Sequence, residues 1–208
     1  MTAPARSVRP DIDGRQVASD SQHAMSFTKD FNTERQRLAP LFTSASEADL
    51  AFHAAWDNGV VRLGVSRYKE TEEYAETLSR FHTATRAIDQ IVTEALAVAK
   101  QGDLGQLATL IAYLDLPGRY FRSGYQRADI WRLLKQVPLD EAQSAIVRRI
   151  ILHHLEMAGH EFTEAAKVAL RVSSPDFCRR VQHLRQSSKS YVASRAVRLL
   201  MRIEADSM

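Results

Sequence analysis

Residues 68–100 read YKETEEYAETLSRFHTATRAIDQIVTEALAVAK and contain neither Gly nor Pro. Within them Tyr74, Leu78, Phe81, Thr85, Ile88, Val92, Ala95 and Ala99 follow one another in alternating steps of four and three. That is a 3.5-residue period, which puts all eight side chains on one narrow stripe of an α-helix. At about 1.5 Å per residue the helix is roughly 45 Å long, well beyond the three turns of an average globular helix. Gln101-Gly102 supplies the stop. A stripe of this length must be covered by another helix. The C-terminal part of the same chain is the expected cover, and Ala95 and Ala99 are small enough to let it come close. A second copy of the chain, giving a homodimer through this helix, is the alternative.

Upstream the pattern is weaker. Residues 1–25 are rich in Ser, Ala, Asp, Arg and Gln, hold Pro4 and Pro10, and have too little apolar surface to offset the entropy of ordering, so a loosely attached arm is expected. Phe27 and Phe31 open a short helix that should run toward Leu38 and stop before Pro40. Ser46 and Asp49 have the spacing of a capping box ahead of Leu50, Phe52, Ala55 and Trp56, and Asp57-Asn58-Gly59 reads as the end of that helix. Val61, Leu63 and Val65 alternate with Arg62 and Gly64, which suggests a short extended connector.

Downstream the chain reads as three helix pairs, Leu104–Leu116 with Ser123–Val137, Asp140–Met157 with Phe162–Val172, and Ser174–Gln186 with Tyr191–Ile203. Pro117-Gly118, Pro138, Gly159 and Ser187-Ser188-Lys189-Ser190 punctuate them. Each pair occupies about 35 residues, the length scale of helical solenoid repeats. Residues 131–137 match residues 197–203 in residue type at every position but one, Lys135 against Met201. The stretch Leu184 to Ile203, a polar turn followed by Val192, Ala196, Leu199, Leu200 and Ile203, resembles the second half of a HEAT repeat. The resemblance implies a scaffold with a curved binding surface for proteins and sometimes for nucleic acid. The expected fold is therefore all-α, a single helical domain over 26–208 with a long central helix and helical hairpins stacked as an irregular solenoid or bundle.

Composition narrows the function. The apolar fraction of 45 % suffices for a sizeable core. Ile150-Ile151-Leu152 is the longest aliphatic run, far short of the ~20 residues that span a bilayer, and the first residues carry arginines without an apolar core, so a cytoplasmic protein is expected. One cysteine, Cys178, excludes an internal disulfide and a multi-cysteine zinc site. No P-loop, dinucleotide fingerprint or nucleophile elbow occurs, and no cofactor is implied. His153, Glu156 and His160 have metal-ligand spacing, but Gly159 should end the helix before His160. Cys178 follows Pro175 near a helix start, beside Arg179 and Arg180, an environment that favours a thiolate; flanked by Phe177 and Val181 it reads as a small core residue. Non-enzymatic binding is the expectation.

The formal net charge of +3 hides a division, with 12 Lys and Arg against 16 Asp and Glu up to residue 118 and 16 against 9 from there on. Arg195, Arg198 and Arg202 form one stripe on the last helix, Arg148-Arg149 and Arg179-Arg180 recur on earlier helices, and residues 118–127 interleave Arg119, Arg122 and Arg127 with Tyr120, Phe121 and Tyr125. These ten arginines are the candidate binding residues. An acidic partner protein is the first expectation for them and nucleic acid the second, since Arg with aromatic side chains pairs phosphate contacts with base stacking.

Overall fold

The computed structural model describes residues 13–156 and 162–206, and among them every regular element is helical. In chain order these are α1 (Asp13–Leu63), α2 (Val65–Lys69), α3 (Glu72–Lys100), a single 3-10 turn (Leu104–Gln106), α4 (Leu107–Leu114), α5 (Ser123–Leu134), α6 (Glu141–Glu156), α7 (Phe162–Val172), α8 (Pro175–Leu184) and α9 (Ser190–Asp206).

The heptad stripe is real and sits on α3. Phe81, Thr85, Ile88, Val92, Ala95 and Ala99 are buried, and Tyr74 and Leu78 half-buried. The helix begins at Glu72 rather than Tyr68, because Thr71 Oγ1 accepts from the Tyr74 amide at 3.2 Å and caps it. Its principal cover is α1 rather than the C-terminal hairpins: Phe27, Phe31, Leu38, Phe42 and Ala45 of α1 are buried in the core that α3 shares. Further along, Phe52 meets Phe81 at 5.6 Å and Tyr74 at 6.1 Å between ring centroids. The stripe is thus covered mainly from within the chain, with Tyr74 and Leu78 partly open.

α1 replaces three elements expected from the sequence. Its 51 residues run through Pro40, past Ser46 and Asp49, and past Asp57-Asn58-Gly59. Pro40 removes one backbone donor, but Leu38 and Phe42 on either side are 0 % and 1 % exposed, and that packing holds the helix across the gap. Gly59 is a packing residue instead of a stop, since a Cβ there would lie 2.2 Å from the Tyr68 ring. The helix ends at Leu63 because Gly64 takes φ 76°, a left-handed conformation that glycine adopts freely. Residues 61–65 are therefore helix end, glycine and helix start, with Val61 and Val65 both exposed, and not an extended connector. The expected N-terminal arm is overlapped by α1 from Asp13 onward, for adding residues to an existing helix costs far less than nucleating one; residues 1–12 lie outside the described residues.

α4 is the centre of the body. All eight of its residues are buried, so it is covered all round, with α1, α3 and α5 packed about it, and its one threonine, Thr109, donates to Glu34 at 3.0 Å. Each fully buried Leu or Ile there contributes about 2 kcal/mol of transfer free energy. Asp115, just past its end, accepts from Arg35 of α1 at 2.7 Å and from Arg149 of α6 at 3.2 Å, which ties three helices together. The three expected helix pairs are present as α4/α5, α6/α7 and α8/α9. α5, α7 and α9 lie side by side, with α6 and α8 on the other layer.

Candidate functional site

The ten candidate arginines separate into those that build the body and those that face outward. Arg127 is only 1 % exposed. Its guanidinium donates to the Leu116 carbonyl at 2.6 Å and lies over the Phe42 and Tyr113 rings, 5.1 and 5.9 Å from their centroids. It is a core residue that fixes the α4–α5 loop, not a surface one, because its side chain is laid between Phe42 of α1 and Tyr113 of α4. Arg148 donates to the Val172 carbonyl at 3.0 Å and pairs with Glu141. Arg149, although itself exposed, lies over the Phe31 ring in addition to holding Asp115. Arg195 lies over Phe162 and Tyr191 and reaches the His154 carbonyl at 3.4 Å. These side chains brace helix against helix.

Arg119, Arg122, Arg179, Arg180, Arg198 and Arg202 are exposed. Arg179 pairs with Asp176 one turn away at 3.1 Å. Arg180, Arg198 and Arg202 have no carboxylate partner among the described residues. Arg198 and Arg202 rim a small cleft of about 40 Å³ between α7 and α9, with Phe162 and Ala166 in its floor. Beside them on α9, Val197 is 37 % exposed and Met201 63 %. Residues 175–205 carry seven Lys and Arg against two Asp and Glu, so this edge of the molecule is strongly cationic. The sequence already displayed the Arg spacing; it did not reveal that Val197 and Met201 share the outer face, since apolar residues at helical spacing ordinarily point inward.

The other outward group lies at the entry to α5. Arg119 and Arg122 are exposed there together with Phe121 at 66 % and Tyr125 at 73 %. Tyr120, between them in sequence, turns inward. Its hydroxyl donates to Asp89 Oδ1 at 2.9 Å within a network that includes Gln126 and Tyr113. Burial, reinforced by Tyr113 and Asp89, pushes the Tyr120 phenol well above its ordinary pKa, so it remains a donor. Arg122 stands 3.5 Å from Asp89 on α3, which connects this corner to that helix.

Other sequence candidates are placed as follows. His154, not His153, is buried; its Nε2 lies 3.1 Å from the Leu114 carbonyl, an atom that only accepts, so the proton is on Nε2. Desolvation, with the charge of Arg127 next, lowers its pKa to about 4. His153 and Glu156 are exposed, His160 lies outside the described residues, and among the described residues no three His, Cys, Asp or Glu side chains are grouped to hold a metal. Cys178 is half-buried against the core. Among the described residues no helix is long and apolar enough to cross a membrane. Comparisons with protein-family models, curated proteins and solved structures found no match for this chain.

Proposed function

We propose that the protein is a non-enzymatic interaction module, an adaptor or regulatory subunit, that docks an acidic partner protein on the outer face of α8 and α9. The observation that carries this reading is the composition of that face. Arg198 and Arg202 lack carboxylate partners among the described residues and stand beside the exposed Val197 and Met201. Arginine and methionine are enriched at protein interfaces, where apolar contact supplies the affinity and charge selects the partner. A surface that met only phosphates would gain nothing from an exposed methionine. An amphipathic helix with Asp or Glu flanking Leu or Phe satisfies both halves of the face.

The alternative is nucleic acid on the same arginines, and one experiment separates the two. Fluorescence anisotropy is measured with an acidic amphipathic helical peptide and, in parallel, with a labelled DNA duplex, for the wild type and for R198E/R202E and M201A. The expected result is micromolar peptide binding that weakens about tenfold or more in R198E/R202E and severalfold in M201A. Duplex binding with a steep salt slope, lost in R198E/R202E and indifferent to M201A, would replace this reading with the nucleic-acid one.

A further inference from the structure

A second surface lies on other elements. Along the outer side of α3, between Tyr74 and Glu94, runs an open groove of about 970 Å³, bounded by Lys69 of α2 at one end and Arg122 at the other. Twenty residues of helix make it about 30 Å long. Of its lining side chains only Tyr74, Ala75 and Leu78 are apolar; Ser79, His82, Thr83, Arg86, Gln90 and Thr93 offer donors and acceptors, and Glu94 at the far end accepts from Gln90 at 2.7 Å. Asp89 sits in this floor, but it already accepts from Tyr120 at 2.9 Å and from Gln126 at 2.8 Å and faces Arg122 at 3.5 Å, so its charge is met from the protein side. At the Arg122 end, Phe121 and Tyr125 expose two thirds or more of their surface. Exposed aromatic rings of this kind are unusual, and these two stand beside two arginines.

We infer that this corner and the α3 groove bind single-stranded nucleic acid, with bases stacked on Phe121 and Tyr125 and the phosphate backbone led past Arg119 and Arg122 toward Arg86 and Lys69. Planar rings together with guanidinium groups recognise a ligand that is at once flat and anionic. A membrane surface also takes aromatic and Arg side chains, but it needs no groove. A helical peptide needs an apolar stripe along the whole groove floor, and here the apolar side chains Tyr74, Ala75 and Leu78 are confined to the Lys69 end. The length suits about five extended nucleotides, inside the roughly 4–16 nucleotides that single-strand-binding modules cover. A duplex is about 20 Å across and too wide to lie in so shallow a channel while stacking on either ring. The surface is separate from that of α8 and α9: α9 packs on α6, α7 and α8, whereas α3 packs on α1, α2, α4, α5 and the 3-10 turn.

The test uses the full chain and a fluorescein-labelled 15-nucleotide oligothymidine, with anisotropy read from low to physiological salt. The expected result is saturable binding at low salt that weakens about fivefold or more in F121A and again in Y125A, with quenching of tyrosine fluorescence in the wild type and not in Y125A. R86E weakens it further and flattens the salt slope, while R198E/R202E leaves it unchanged. Both ring positions are exposed, so the variants keep the fold, and circular dichroism confirms that. Absence of oligonucleotide binding at low salt overturns the proposal, as does binding that is lost in R198E/R202E but not in F121A. Binding of phosphatidylglycerol vesicles that depends on Phe121 and Tyr125, in place of oligonucleotide, assigns the corner to a membrane and equally overturns it.

Discussion

The two ends of the α1/α3 pair are stabilised in different ways. Toward the body, Phe31, Leu38, Phe42, Ile88 and Val92 lie in one continuous core with α4, α5 and α6, and each is at most 2 % exposed. Toward the α2 turn the same two helices are covered, among the described residues, only by each other and by the short α2. There Phe52, Trp56, Tyr68, Tyr74 and Phe81 form a ladder of rings with successive centroids 5.6 to 6.4 Å apart, and Leu50 and Val61 stand open at 69 % and 89 %. Two helices without a third layer cannot bury aliphatic side chains completely. Large flat rings cover one another instead, and edge-to-face pairs add about 1 kcal/mol each beyond their area. The body is held by depth and the far end by ring contact, so the far end should open independently of the rest.

Three changes test that division. The largest effect is expected in the body: Trp131→Ala or Ile111→Ala removes a side chain that is 0 % exposed and should cost about 3–5 kcal/mol, lowering the whole unfolding transition at once in chemical denaturation. If only part of the signal shifts, the body is not one cooperative unit. A pH-dependent effect of nearly that size comes from His154. Its folded pKa of about 4 lies below the ordinary ~6.5, so the unfolded chain takes the proton first. Stability is complete above about pH 6.5 and falls by about 3 kcal/mol as pH drops to 4, which a urea series between pH 7 and pH 4 measures and His154→Phe should flatten. Arg127 and Arg119 face the imidazole and strengthen the effect, and no carboxylate is among the causes of its shift. The smallest change is at the far end. Gly59→Val puts a branched side chain where Tyr68 lies and should cost about 1–3 kcal/mol, seen by hydrogen exchange as faster opening of residues 50–80 with the body unaltered. Equal loss of protection in α4 would show that the two ends are coupled.

Much of the architecture was legible because it rests on periodicity. The eight positions of the α3 stripe and the three C-terminal helix pairs follow from apolar spacing and from punctuation by Pro, Gly and Ser. α1 was not legible for a physical reason. Pro40, the Ser46 cap pattern and Asp57-Asn58-Gly59 are local signals of helix ends, and α1 runs through all three; tertiary contacts overrode the first and the last, Leu38 and Phe42 across the proline and the Tyr68 ring against Gly59. The same limit applies to the arginines. Spacing placed Arg195, Arg198 and Arg202 on one face, but only packing shows that Arg195 is laid over Phe162 and Tyr191 while Arg198 and Arg202 stay open. Arg127 departed from its expected role, the charged residue going inside, while Phe121 stays outside. Phe121 lies in the eight-residue loop before α5 and Arg127 on the helix itself, and sequence alone carries no sign for which of them faces water.

The uninterrupted length of α1 has a mechanical consequence. At about 1.5 Å per residue it is a rod of roughly 75 Å, clamped near its middle by the body and held toward the α2 turn by α2 and α3 alone. A force applied at the Leu50–Val61 end acts as torque on the clamp, and the residues that resist it are Arg35 against Asp115 and Phe42 against Arg127. The rod is thus a lever whose fulcrum is an ion pair and a cation over a ring, and small displacements there are magnified at its tip.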